Sequence, residues 1–124
     1  MPKVTWIGSF RELADPEERE GLPSLRDFIS DTPQDNEVRI LAYLESAPGI
    51  AGRGSVEGDV LDPDAPVAIF RSIFSDGVFI WSQNLAYYVR RYHLRLPPEV
   101  VAHMAAMNWT PPPKGSINPA EIDW

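Results

Sequence analysis

The stretch Val67-Ala68-Ile69-Phe70-Arg71-Ser72-Ile73-Phe74-Ser75-Asp76-Gly77-Val78-Phe79-Ile80-Trp81 decides how this chain folds. β-Branched and aromatic residues fill both of its arms, and such side chains pack well on a pleated surface. Asp76-Gly77 stands between the arms. Both residues tolerate positive φ, so the pair predicts a tight type I′ turn and the whole stretch a β-hairpin. With Asp76 and Gly77 as the two turn residues, Ser75 faces Val78, Phe74 faces Phe79, Ile73 faces Ile80 and Ser72 faces Trp81. Neither face of this ribbon is polar. A strand pair that is apolar on both sides must be covered on both, which predicts a central place in the fold.

On the C-terminal side, Ser82 reads as the cap of a helix whose Leu85, Tyr88, Val89 and Tyr92 share one face, with Arg90 and Arg91 opposite. Leu96-Pro97-Pro98-Glu99 stops that helix and opens another, which carries Val101, Met104 and Ala105 and ends near Asn108-Trp109. Pro111-Pro112-Pro113 cannot be helical. Residues 110–124 are therefore expected to form a proline-rich extended tail behind a single domain over residues 1–109, with Ile122 and Trp124 available to dock it.

On the N-terminal side, residues 50–66 are rich in Gly, Asp and Pro and read as loop, with a short strand near Val60-Leu61. The helix before them is expected to be capped by Thr32 and begun by Pro33, with Asp35 and Glu37 near its positive end. Val38, Ile40, Leu41, Ala42 and Leu44 form its apolar stripe, and Pro48-Gly49 ends it. Ser24 to Ile29 reads as a brief helix capped by Ser24, and Val4 to Ile7 as a short strand or a packed loop. A central antiparallel hairpin in a small sheet, flanked by about four short helices, makes this an α+β domain.

The net charge is −7, and it is unevenly placed. Residues 1–37 hold nine acids against four bases, whereas residues 67–124 hold four against five. Phosphate binding needs clustered Lys and Arg, so nucleic acid is disfavoured; the acidic face either suits a basic protein partner or only keeps the protein soluble. With no cysteine, disulfides, thiolate metal sites and a cysteine nucleophile are excluded. No apolar run reaches the length of a membrane span, and Met1 to Phe10 lacks a signal-peptide core, so the expected location is cytoplasmic.

Chemistry-bearing motifs are sparse. His93 and His103 lie ten residues apart on different predicted helices, without ligands at metal spacing. None of Ser72, Ser75 and Ser82 sits in a nucleophile elbow. Gly49-Ile50-Ala51-Gly52-Arg53-Gly54 lacks the lysine and the strand-to-helix setting of a phosphate loop. Asp59, Asp62 and Asp64 alternate like calcium ligands, but Pro63 and Pro66 and the missing glutamate spoil that pattern. No catalytic residue, metal site or cofactor is assigned. The remaining candidates are residues of the types that dominate interfaces: Trp81, Tyr87, Arg90, Arg91, His93 and Trp109. A plainer reading puts Trp81, Tyr88 and Tyr92 in the core and leaves Tyr87, Arg90 and Arg91 as an ordinary exposed face.

Ser75 to Ser82, then Leu85 to Val89, Tyr92 to Pro97, Ala102-His103-Met104 and Asn108-Trp109 together resemble a group of small uncharacterised actinomycete proteins. The resemblance covers about residues 37–110 and implies no functional residues. In size and charge the chain is also similar to immunity proteins that neutralise toxins. Three readings follow. The first is a non-enzymatic protein-binding module, such as an immunity-type inhibitor. The second is a small-molecule or peptide binder, or a minor enzyme, with a pocket near Trp81, Tyr88, Tyr92 and His93. The third is a homodimer joined through the hairpin edge or the last helix.

Overall fold

The computed structural model describes residues 3–52 and 56–124, so Arg53 and Gly54 of the glycine-rich passage lie outside the described residues. The hairpin forms from β5 (Ile73–Ser75) and β6 (Phe79–Ser82), and these are the two inner strands of a four-stranded sheet. β1 (Thr5–Trp6) pairs with β6 in parallel, and β2 (Gly49–Ala51) pairs with β5 antiparallel, with a bulge between Gly49 and Ala51. A separate two-stranded ribbon joins β3 (Val56–Glu57) to β4 (Ile69–Phe70).

The turn differs from expectation. Ser75 pairs with Ile80, Phe74 with Trp81 and Ile73 with Ser82, so Gly77-Val78 form the loop rather than Asp76-Gly77. Only Gly77 has positive φ there (90°). Asp76 instead uses its carboxylate: Oδ1 accepts from the Val78 N–H at 2.9 Å and the Phe79 N–H at 2.7 Å, closing the turn with a side chain. The register slides by two residues, and because strand side chains alternate with period two, each keeps its expected face. The single strand expected over residues 67–74 is also divided. β4 leaves for the small ribbon, and between it and β5 the Ser72 carbonyl accepts from the Gln83 N–H at 2.7 Å.

Three α-helices are present among the described residues: α1 (Glu37–Ser46), α2 (Asn84–Tyr92) and α3 (Pro98–Ala106). The first of the four expected helices shrinks to one 3₁₀ turn, Leu25–Asp27, with Ser24 accepting from the Arg26 N–H as its cap. Thr32 and Pro33 lie outside α1, because Asn36 adopts a left-handed conformation (φ 62°) that reverses the chain just before it. Ser82 does not cap α2. It ends β6, and its hydroxyl oxygen is buried without a partner. Val60-Leu61 is not a strand; the ladder falls at Val56–Glu57, and Ile50 and Ala51, expected to be loop, belong to β2 with Gly49.

Strand alternation sorts the core into two parts. Trp81 joins Ile40, Tyr43, Leu44, Leu85, Tyr88, Val89, Val100 and Met104 on the face covered by the helices. Ile73 and Ile80 point the other way, to Val4, Ile50 and Ile122. Both faces of the hairpin are thus covered, but the second is covered by the C-terminal segment rather than by helices. After the proline run that segment returns to the body, Lys3 bridges Asp123, and Val4 donates to the Asp123 carbonyl at 3.2 Å. The described residues contain no helix long and apolar enough to cross a membrane.

Candidate functional site

Of the six residues singled out from the sequence, two converge. Tyr87 and Arg91 meet at Asp59, a carboxylate only 4% exposed. Asp59 Oδ2 accepts from the hydroxyls of Tyr92 at 2.5 Å and Tyr87 at 2.7 Å, while Oδ1 accepts from the N–H groups of Leu61 at 2.7 Å and Asp62 at 3.0 Å. Arg91 reaches Asp62 at 2.9 Å and lies 5.4 Å over the Tyr92 ring. Burial alone would push the Asp59 carboxyl up. The hydrogen bonds from Tyr92 and Tyr87, with those from the two backbone N–H groups, outweigh it and hold the carboxyl below the ordinary range. The reciprocal effect on Tyr92, from burial and then from its bond to Asp59, pushes its hydroxyl up to about 12. This cluster clamps the loop after β3 onto α2, and its acceptors are already filled.

The other four are separate. Trp81 is core, 1% exposed, and its indole N–H points at the Leu44 carbonyl. Arg90 pairs with Glu45 on the surface. His93 ends α2 in a left-handed conformation (φ 53°), with Nδ1 2.8 Å from Glu37 Oε2. Trp109 lies under the Arg39 guanidinium at 5.8 Å. His103, the second histidine, contacts Asp76 at 3.1 Å, and Tyr43 donates to the same Asp76 oxygen at 2.6 Å. A histidine oriented by an aspartate is half of a nucleophilic site, but no hydroxyl meets the other nitrogen of His103 among the described residues. Nor do three or more His, Asp or Glu side chains there converge as metal ligands would.

An open cleft lies elsewhere. A cleft of about 480 Å³ opens where the parallel strands β1 and β6 end, between the segment that follows β1, Arg71 before β5, and the start of α2. Gly8 makes this shape. Its φ of 78°, which L side chains rarely adopt, turns the chain away after β1, and a Cβ there would stand 3.0 Å from Leu85 Cδ1, so glycine suits this close approach to α2. Trp6 is 43% exposed at the wall. Asp15 and Glu18, exposed residues held by the 3₁₀ turn Pro16–Glu18, form part of the lining, and Glu17 and Glu20 are exposed in the same stretch.

Arg71 lines the cleft with a side chain 30% exposed. Its Nε lies 3.7 Å from Glu57 Oε2, beyond hydrogen-bond reach, while the other Glu57 oxygen accepts from Asn84 Nδ2 at 2.7 Å. Among the described residues the guanidinium makes no hydrogen bond. Ser82, with its unpartnered hydroxyl oxygen, lines the same cleft.

A second groove of about 420 Å³ runs between α1 and α2, floored by Phe74 and Ala86 and edged by Phe70, Tyr87 and the Glu45–Arg90 pair. Neither cleft is lined by Trp81, Tyr88, Tyr92 or His93. Trp6, Asp15, Glu18 and Arg71 were not legible as a group, because Arg71 is distant in sequence from the other three. The one local hint was the run of acids at residues 15–20 close to an isolated tryptophan. Compared with protein-family models, with curated proteins and with solved structures, the chain matches none.

Proposed function

We propose that the protein is a non-enzymatic protein-binding module that captures a basic segment of a partner protein in the cleft beside Trp6. One observation carries this reading: a large half-exposed indole and the carboxylates of Asp15 and Glu18 line the same concave space. A lysine or arginine side chain satisfies both at once, with its aliphatic stem on the indole and its charged head at the carboxylates. The volume falls within the range of about 300–1,000 Å³ usual for ligand pockets. The net charge of −7, concentrated in the segment that supplies this wall, favours approach of a basic partner. Neutralisation of a basic toxin by an immunity-type inhibitor is the kind of task such a site serves. The alternative, a small-molecule or peptide pocket near Trp81, Tyr88, Tyr92 and His93, draws less support, because these residues line neither cleft.

The test is calorimetric titration with a short oligolysine peptide acetylated at its N-terminus and amidated at its C-terminus. Binding that weakens with salt, and weakens about tenfold in the double variant Asp15→Asn/Glu18→Gln, is expected from loss of two charge contacts. An affinity unchanged in that variant, or no binding at low salt, overturns the reading.

A further inference from the structure

Resting on that reading, we infer that the segment captured is a chain terminus: the cleft holds the free C-terminal carboxylate of a basic partner on Arg71, with the basic side chains toward Asp15 and Glu18. The starting point is Arg71 itself. A guanidinium has five N–H donors, and those of Arg71, on a side chain 30% exposed at the cleft, make no hydrogen bond among the described residues. Its sole ionic neighbour among the described residues is Glu57 at 3.7 Å, and one oxygen of that carboxylate is taken by Asn84. The fork of an arginine matches a carboxylate in bidentate geometry, so a ligand carboxylate supplies the missing acceptors.

Two neighbours suit an anion at that end. Asn84 begins the nine-residue helix α2, which has no side-chain cap, and helix N-termini favour negative charge. Ser82 lines the same cleft, and its buried hydroxyl oxygen has no partner among the described residues.

The charge balance then chooses the ligand. Asp15 and Glu18 outnumber Arg71 two to one in the lining, and Glu57 stands beside Arg71, so a lone anion such as inorganic phosphate is repelled. The anion must arrive on a molecule that carries more positive charge than negative. A chain ending in two basic residues does so, with two cations for one carboxylate. An internal basic segment brings no group that answers Arg71, and a folded convex surface does not enter a space of about 480 Å³.

The experiment compares four probes by calorimetry: an N-acetylated peptide ending in two lysines with a free carboxylate, the same peptide as its amide, free lysine, and inorganic phosphate. The free-acid peptide is expected to bind about tenfold more tightly than the amide, the gain of one charge-assisted hydrogen-bonded pair. The difference should vanish in Arg71→Gln and return in part in Arg71→Lys, with unchanged thermal melting showing that both variants fold. Equal binding of acid and amide overturns the terminus and leaves the basic-segment reading standing. Free lysine binding as tightly as the peptide, or phosphate binding at all comparably, also overturns it. Binding of none of the peptides defeats both readings.

Discussion

Asp59 and Arg71 are both charged side chains withdrawn from water, and the protein treats them in opposite ways. Asp59 is surrounded by four donors, from Tyr87, Tyr92, Leu61 and Asp62, and sits in a cluster that joins a loop to a helix. Arg71 has, among the described residues, a single ionic neighbour beyond hydrogen-bond distance, and it faces a cleft. A buried charge whose partners are all inside the protein acts as a joint. One that makes no hydrogen bond among the described residues and faces a cleft is the one we propose meets a ligand. The distinction is energetic, because leaving a buried polar group unpaired costs more than a completed pair contributes.

The largest effect should follow from breaking the joint. Asp59→Ala leaves two tyrosine hydroxyls and two backbone N–H groups without their acceptor and releases the loop after β3 from α2. A loss of about 3 kcal/mol is expected, in line with truncation of one partner in a buried network. Urea unfolding monitored by circular dichroism measures it. A loss below about 0.5 kcal/mol, the range of an ordinary surface substitution, would show that the cluster is no joint.

The same cluster explains what the sequence did and did not reveal. The Asp59, Asp62, Asp64 pattern reads as poor calcium ligands because the side chains that fill Asp59 lie 28 and 33 residues away, at Tyr87 and Tyr92. By contrast the hairpin and α2 are legible, since their information is local: an Asp-Gly between two apolar arms, and Leu85, Tyr88 and Val89 on one helical face. Even the slipped register at Asp76 leaves the assignment of faces intact. Thr5–Trp6 and Gly49–Ala51 are strands only because the hairpin offers its edges to them, and two or three residues carry too little pattern to announce that. The cleft was illegible for a related reason. It is a gap where segments end, and no periodicity marks a gap.

A smaller effect separates the two regions by pH. Asp59 titrates below the ordinary carboxylate range when folded, so its contribution is present above about pH 4 and is lost as pH falls through the lower folded value. Tyr92 moves the other way. Raised from 10.0 to about 12 by burial and by Asp59, it contributes stability that is complete below pH 10 and disappears as pH rises toward 12. Stability measured by urea titration should therefore fall at both extremes in the wild type. In Asp59→Asn both slopes should be shallower, because neither the depressed carboxyl nor its effect on Tyr92 persists. Parallel pH profiles for the two proteins would place the titrating groups elsewhere.

The smallest effect is expected at the other end of the comparison. Arg71→Gln removes a charge from a side chain that makes no hydrogen bond among the described residues, and an ion pair at 3.7 Å on a partly exposed side chain is worth little. Removing it leaves Glu57 bound to Asn84 at 2.7 Å, so no acceptor is stranded. The unfolding free energy should change by no more than about 0.5 kcal/mol in either direction. A loss of about 2 kcal/mol or more would mean that Arg71 is tied into the fold as Asp59 is. The contrast between a filled charge and an open one would then collapse, because stability, rather than a ligand, would account for its position.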